Sequence, residues 1–140
     1  MEFQKILVPV SGSEADGEAV KLACRLAKKN KSKIYAVYVI TVKRTLPIDA
    51  EIESEIRKAE GILNHIESVA EEQEYEVETD LLQAREAAPT IVEEAVERGA
   101  DLILMGVTYK RRFGQFSLGN TVPYVLKNAP CRVILYHQPT

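Results

Sequence analysis

The chain has 140 residues, 46% of them hydrophobic and 28% charged, with a formal net charge of -3. That length holds one domain with a genuine core and is too short for two ordinary ones. A slightly acidic balance offers no field to attract nucleic acid, so no nucleic-acid partner is expected.

The two cysteines, Cys24 and Cys131, fall in a helix pattern and at the start of a strand pattern. Neither a disulfide framework nor paired metal-ligand spacing results, and buried thiols are expected. No apolar run approaches the ~20 residues needed to span a bilayer. Met1-Glu2 leads straight into a strand pattern, without a charged and then apolar leader. A cytoplasmic location with no direct membrane insertion is therefore expected; a soluble domain of a larger membrane protein would read the same way.

Phe3 to Val10 (FQKILVPV) is a short apolar run with β-branched residues, the pattern of a strand covered on both faces. It ends at Ser11-Gly12-Ser13, where Ser13 is the expected helix N-cap and Glu14 and Asp16 complement the helix dipole. Ala15, Ala19, Val20, Ala23, Leu26 and Ala27 recur at three- and four-residue spacing, and Lys28, Lys29 and Lys31 close that helix. Ser32 to Ile40 (SKIYAVYVI) is a second buried strand, which makes residues 3–40 a right-handed βαβ unit.

Pro47 marks the next boundary. From Ile48 to Gln73, the positions Ile48, Ile52, Ile56, Ala59, Leu63, Ile66 and Ala70 keep helical spacing while glutamates fill much of the other face. A long acidic helix with a solvated outer surface is predicted. Tyr75 to Ala84 (YEVETDLLQA) reads as a strand near a sheet edge. Ala87 to Arg98 gives a short helix whose apolar set is Ile91, Val92, Ala95 and Val96, with Pro89 tolerated in the first turn and Gly99 ending it left-handed. Asp101 to Gly106 predicts a fourth strand, Val122 to Asn128 a last helix and Cys131 to Tyr136 (CRVILY) a last strand.

Five strands alternating with four helices specify an α/β fold: a doubly wound five-stranded parallel sheet with helices on both faces, organised as a single domain over residues 1–140. Ligands of such sheets bind outside the carboxyl ends of the strands, where strand order reverses. Val10-Ser11-Gly12 and the loop from Gly106 both end at that edge. They face one crevice if strands one and four are neighbours, which spacing along the chain does not fix. The run from Ala100 to Thr121 is a strand-loop-helix unit of the kind that cradles phosphate. The N–H groups that open a helix lack intrahelical partners, and glycine lets an anion approach them. Plain turn chemistry accounts for the same composition.

KILVPVSGSE, the G-x(12)-G-N-T stretch and VLKNAPCRVILY together resemble the universal stress protein family across essentially the whole chain. The resemblance implies the sheet just described, of the adenine nucleotide alpha hydrolase-like type, and a homodimer, often paired through the last strand. It also implies a division into members that bind ATP and members that do not. Binding members carry G-x2-G-x9-G-[ST] and an aspartate just after the first strand.

Placed on this chain, the pattern puts Gly106 and Gly119 at the first and third glycines and Tyr109 at the second. Asn120 stands where Ser or Thr is expected, Thr121 offers a hydroxyl one residue late, and Ser11 replaces the aspartate. Pro9 and Val39 match positions that flank adenine in binding members, and Met105 precedes the first glycine, as it often does there. The implied cofactor site is thus Pro9, Val10, Ser11, Val39, Met105, Gly106, Tyr109, Gly119, Asn120 and Thr121, with no catalytic and no metal residue.

The departures weaken that site. Tyr109 brings a Cβ and a ring where backbone should approach phosphate. Ser11 accepts more weakly than a carboxylate. Asn120 caps a helix well but has no hydroxyl. Lys110, Arg111 and Arg112 add cations that either pair with phosphate or simply solvate the loop tip.

Two functions follow from the resemblance. The favoured expectation is a non-catalytic, dimeric regulatory module with weak or absent ATP binding, its crevice filled by Tyr109 and Phe113, acting through a protein partner such as a membrane transporter. The alternative is an ATP-binding stress-response regulator, with phosphates against Gly106, Gly119, Asn120 and Thr121 and the base between Pro9 and Val39. A catalytic reading finds less. Residues 11–16 (SGSEAD) are faintly similar to the SGG-x-DS loop of ATP pyrophosphatases but fail at its second glycine and its Asp-Ser end. His65 and His137 are expected at the surface, on the acidic helix and beyond the last strand.

Overall fold

The structure, a computed structural model, describes residues 2–108, 110–112, 115–117 and 120–138. Along the chain run β1 (Lys5–Val10), α1 (Ala15–Lys28), β2 (Lys33–Thr41), α2 (Glu53–Glu72), β3 (Glu78–Ala84), α3 (Ala87–Arg98), β4 (Leu102–Thr108), β5 (Lys110–Arg112), β6 (Gln115–Ser117), α4 (Thr121–Asn128) and β7 (Arg132–Gln138). The main sheet has the order β3-β2-β1-β4-β7, and every pairing in it is parallel. The chain works outward from β1 to β3, crosses back to β4 beside β1, and works outward again. Strands one and four are neighbours, and the order reverses between them.

Successive side chains on a strand point to opposite faces. On one face Ile6, Val8, Ile34, Ala36, Leu102 and Leu104 pack against Ala19, Val20 and Ala23 of α1 and Leu63 and Ile66 of α2. On the other, Leu7, Val37, Ile103, Met105 and Val107 meet Ile91 and Ala95 of α3 and Val122 and Val125 of α4. Two cores result, one on each side of the sheet. Ala15, Ala19, Ala23 and Ala27 are fully buried, so α1 lies close against the sheet with no long side chain between them.

Several boundaries differ from the sequence reading, each for a local reason. Helix α2 starts at Glu53, five residues after Ile48, and Ile48 is exposed. Pro47 instead opens a turn, its carbonyl accepting from Ala50 N at 3.0 Å. Gln83, in β3, donates to the carbonyls of Ile48 and Ala50, which a helix starting at Ile48 would need, and Arg85, just after β3, ties down the carbonyls of Lys43 and Leu46. Strand β3 starts at Glu78 because the chain is still closing α2. Glu74 has φ 56 and Tyr75 N donates to Ala70 O at 3.0 Å, while the Tyr75 hydroxyl donates to the Ser32 carbonyl.

The loop after β4 holds an antiparallel pair, β5 with β6, that the pattern did not suggest. Strand β7 runs to Gln138, so His137 lies within it, opposite Val107, rather than beyond it. Cys24 is buried and Cys131 half-buried, both as free thiols. Among the described residues no helix is long and apolar enough to cross a membrane.

Candidate functional site

At the tip of β1 the chain turns through Gly12, whose φ of +88 lies in the left-handed region that suits glycine. Ser11 N and Gly12 N both point at one carboxylate, Asp16, at 3.1 and 2.7 Å. Asp16 is 3% exposed. Burial raises its pKa above the ordinary 3.8, against the lowering effect of hydrogen bonds from the backbone of Gly12, Ser11 and Ser13 and from the Ser13 hydroxyl. The anticipated Ser13 N-cap is therefore replaced. Helix α1 begins at Ala15 after Glu14, which has helical φ/ψ and makes no side-chain cap. Asp16, already inside the helix, reaches back and takes the loop amides itself.

At the tip of β4, Gly106 meets a different demand. A Cβ built there would lie 2.5 Å from the Ala15 carbonyl oxygen and 2.9 Å from Ala15 Cβ. The first turn of α1 crosses that point, and only glycine admits it. Packing thus accounts for this glycine without any ligand. Helix α4 then begins at Thr121, and the Asn120 side chain makes no capping hydrogen bond. The early N–H groups of α4 keep the partial positive charge of a helix start.

Between these tips opens a crevice of about 310 Å³ on the α3/α4 side of the sheet. Pro9, Val10, Ser11, Val39, Met105, Gly106 and Thr121 line it, so these residues of the anticipated site share one wall. Asn120 is exposed at the α4 cap and is not among the lining residues. Tyr109, Phe113 and Gly119 lie outside the described residues, and with them the expected filling of the crevice by aromatic rings.

The sequence reading missed Ser13, Val37, Tyr38, Ala87, Ile91, Val107, Thr108 and Val122, which complete the lining. Val37 and Val107 had a signal: each is two residues from an expected site position and so shares its face. Ala87 and Ile91 had none, since only the crossover from β3 to β4 brings α3 over this edge. Among the described residues, none that lines the crevice carries a charge. Apolar side chains such as Pro9, Val39 and Met105 share the lining with the hydroxyl residues Ser11, Ser13, Thr108 and Thr121.

A doubly wound parallel sheet with a crevice at its switch point defines a class of α/β domains, and that point is where members that take ligands hold them. Within that class the chain belongs to the universal stress protein family, whose profile matches residues 2–137. It is 36% identical to universal stress protein MJ0531 of Methanocaldococcus jannaschii over 143 aligned positions, covering 98% of this chain and 84% of that protein. The structure of a universal stress protein from Archaeoglobus fulgidus superposes with a TM-score of 0.75 at 25% identity, covering 96% of this chain and 94% of that one. A structure of the Archaeoglobus fulgidus protein in complex with dAMP gives the same TM-score at 23% identity, covering 96% and 98% of the two chains.

Proposed function

We propose that this chain is a non-catalytic regulatory module that takes an adenosine nucleotide by its base and sugar and holds the triphosphate weakly. The observation that carries the reading is that the amides at the β1 tip are engaged by Asp16, while apolar side chains and hydroxyls line the crevice beside them. Pro9 and Val39 offer apolar surface to a base, and Met105 lies on the same wall. Where a free backbone N–H pair would favour phosphate, Ser11 and Gly12 already donate to Asp16. Ser11 offers a hydroxyl in place of a carboxylate. Thr121 and the uncapped start of α4 remain for a first phosphate.

The relatives of known structure supply support by analogy, since one of them is a complex with dAMP, a monophosphate. The module works in the cytoplasm as a homodimer, pairing through the outer edge of β7, which has β4 on its other side, and it reports to a protein partner.

Calorimetry with AMP and with magnesium ATP tests the reading. The expected result is weak, saturable binding of both, with affinities within about threefold because the outer phosphates are not gripped. Micromolar ATP with AMP at least tenfold weaker would overturn the weak triphosphate grip. Absence of binding by either would leave a module that acts through partner contacts alone. Ser11→Asp should tighten both nucleotides by about tenfold, equivalent to about 1.4 kcal/mol, through a restored charge-assisted hydrogen bond.

A further inference from the structure

On the opposite face of the sheet, the same 11–13 loop borders a second hollow, of about 330 Å³, between itself and α2. Gly12, Ser13 and Asp16 form one side; Lys58, Gly61, Ile62 and His65 form the other. That volume is far above the roughly 10–15 Å³ that one water needs. Positions 58, 61, 62 and 65 are spaced to share one face of a helix.

This stripe differs from the rest of α2. The helix carries Glu53, Glu55, Glu60, Glu67, Glu71 and Glu72, yet none of them lines the hollow. Arg57 is paired with Glu53 at 2.5 Å. Lys58 and His65 take part in no ion pair among the described residues. Between them Gly61 has no packing reason to be glycine, because a Cβ there would meet nothing within 4 Å. A glycine in a helix interior costs about 1 kcal/mol relative to alanine, and here it leaves bare backbone facing the hollow. Asp16 is the opposing charge on the far wall. Its carboxylate is already engaged by Ser11, Gly12 and Ser13, which turns its acceptors toward the loop.

We infer that this hollow is a second ligand site, for a small oxyanion, a carboxylate or a phosphate, held by Lys58 and His65 over Gly61. Ile62 and Ile66 supply an apolar floor for a short hydrocarbon tail. The site stands on the face away from the nucleotide crevice and does not depend on whether that crevice takes nucleotide.

The test is an NMR titration of the full chain with sodium butyrate and, separately, with inorganic phosphate, at constant ionic strength set by chloride. Saturable shifts of the Gly12, Ser13 and Gly61 amides and of the His65 ring are expected with at least one of the two. Butyrate alone would assign the carboxylate class, and phosphate alone the phosphate class. Lys58→Ala, at an exposed helix position, should weaken binding at least fivefold, while Lys58→Arg should stay within about threefold. Gly61→Leu should abolish it by filling the hollow. Shifts that stay linear for both anions, or affinities unmoved by Lys58→Ala, overturn the proposal whether or not the Gly61 variant folds.

Discussion

The tips of β1 and β4 end side by side at one sheet edge, each carries a glycine, and each leads to a helix, directly after β1 and beyond the β5/β6 pair after β4, yet their backbones are used in opposite ways. At β1 the amides of Ser11 and Gly12 are spent on Asp16, a carboxylate the chain supplies from inside α1. At β4 the following helix opens at Thr121 without a side-chain cap, and Gly106 is required by the carbonyl of Ala15. A glycine next to a helix start is thus not in itself an anion site. What decides is whether its amides are already engaged and whether the glycine is answering to packing instead.

The sharpest way to break this contrast is to remove the internal anion. Asp16→Ala should cost about 2–3 kcal/mol of unfolding free energy in urea, since hydrogen bonds to a charged acceptor are lost together. A cost under about 1 kcal/mol would mean that the carboxylate does not hold the β1 turn. Next in size is Gly106→Ala. Forcing a Cβ to within 2.5 Å of the Ala15 oxygen should cost about 2 kcal/mol and lower Tm, as overpacking does. A variant of unchanged Tm that lost only nucleotide affinity would assign Gly106 to ligand and not to α1.

Gly61→Ala supplies the opposite sign. With open space around its Cβ, it should gain up to about 1 kcal/mol from helix propensity, read by the same urea curves.

The smallest effect is in pH. Because burial raises the Asp16 carboxyl above 3.8, the folded state holds that proton more tightly than the unfolded chain does. The resulting stabilisation is complete below pH 3.8 and is lost as pH rises through the folded value. The stability difference between wild type and Asp16→Asn should therefore move against wild type over that window. A difference that is flat in pH would show that the loop hydrogen bonds cancel the burial.

Where local signals agreed with the fold, the sequence was legible to the residue. Ala87–Arg98 was bounded correctly because Pro89 and Gly99 mark both ends, and Gly99 does take φ 66. Where a distant residue intervened, it was not. The helical spacing of Ile48 and Ile52 continues smoothly into α2, but Gln83 from β3 captures the Ile48 and Ala50 carbonyls that a longer helix would need. The site divided the same way. Pro9, Val39, Met105 and Gly106 were placed at one crevice by the family pattern, and the structure gathers them on one wall. Asp16 looked like an ordinary helix-start acid, since nothing in its neighbours along the chain says that it is buried.

From residues alone came the alternation of strands and helices, the parallel doubly wound sheet and the family, because hydrophobic period and turn residues act over a few positions and need no partner elsewhere. Only the tertiary structure settled that β1 lies beside β4, that Gly106 yields to the first turn of α1, and that the β1 amides are already taken. Those facts depend on groups far apart in sequence meeting at one edge, and spacing along a chain carries no record of such meetings.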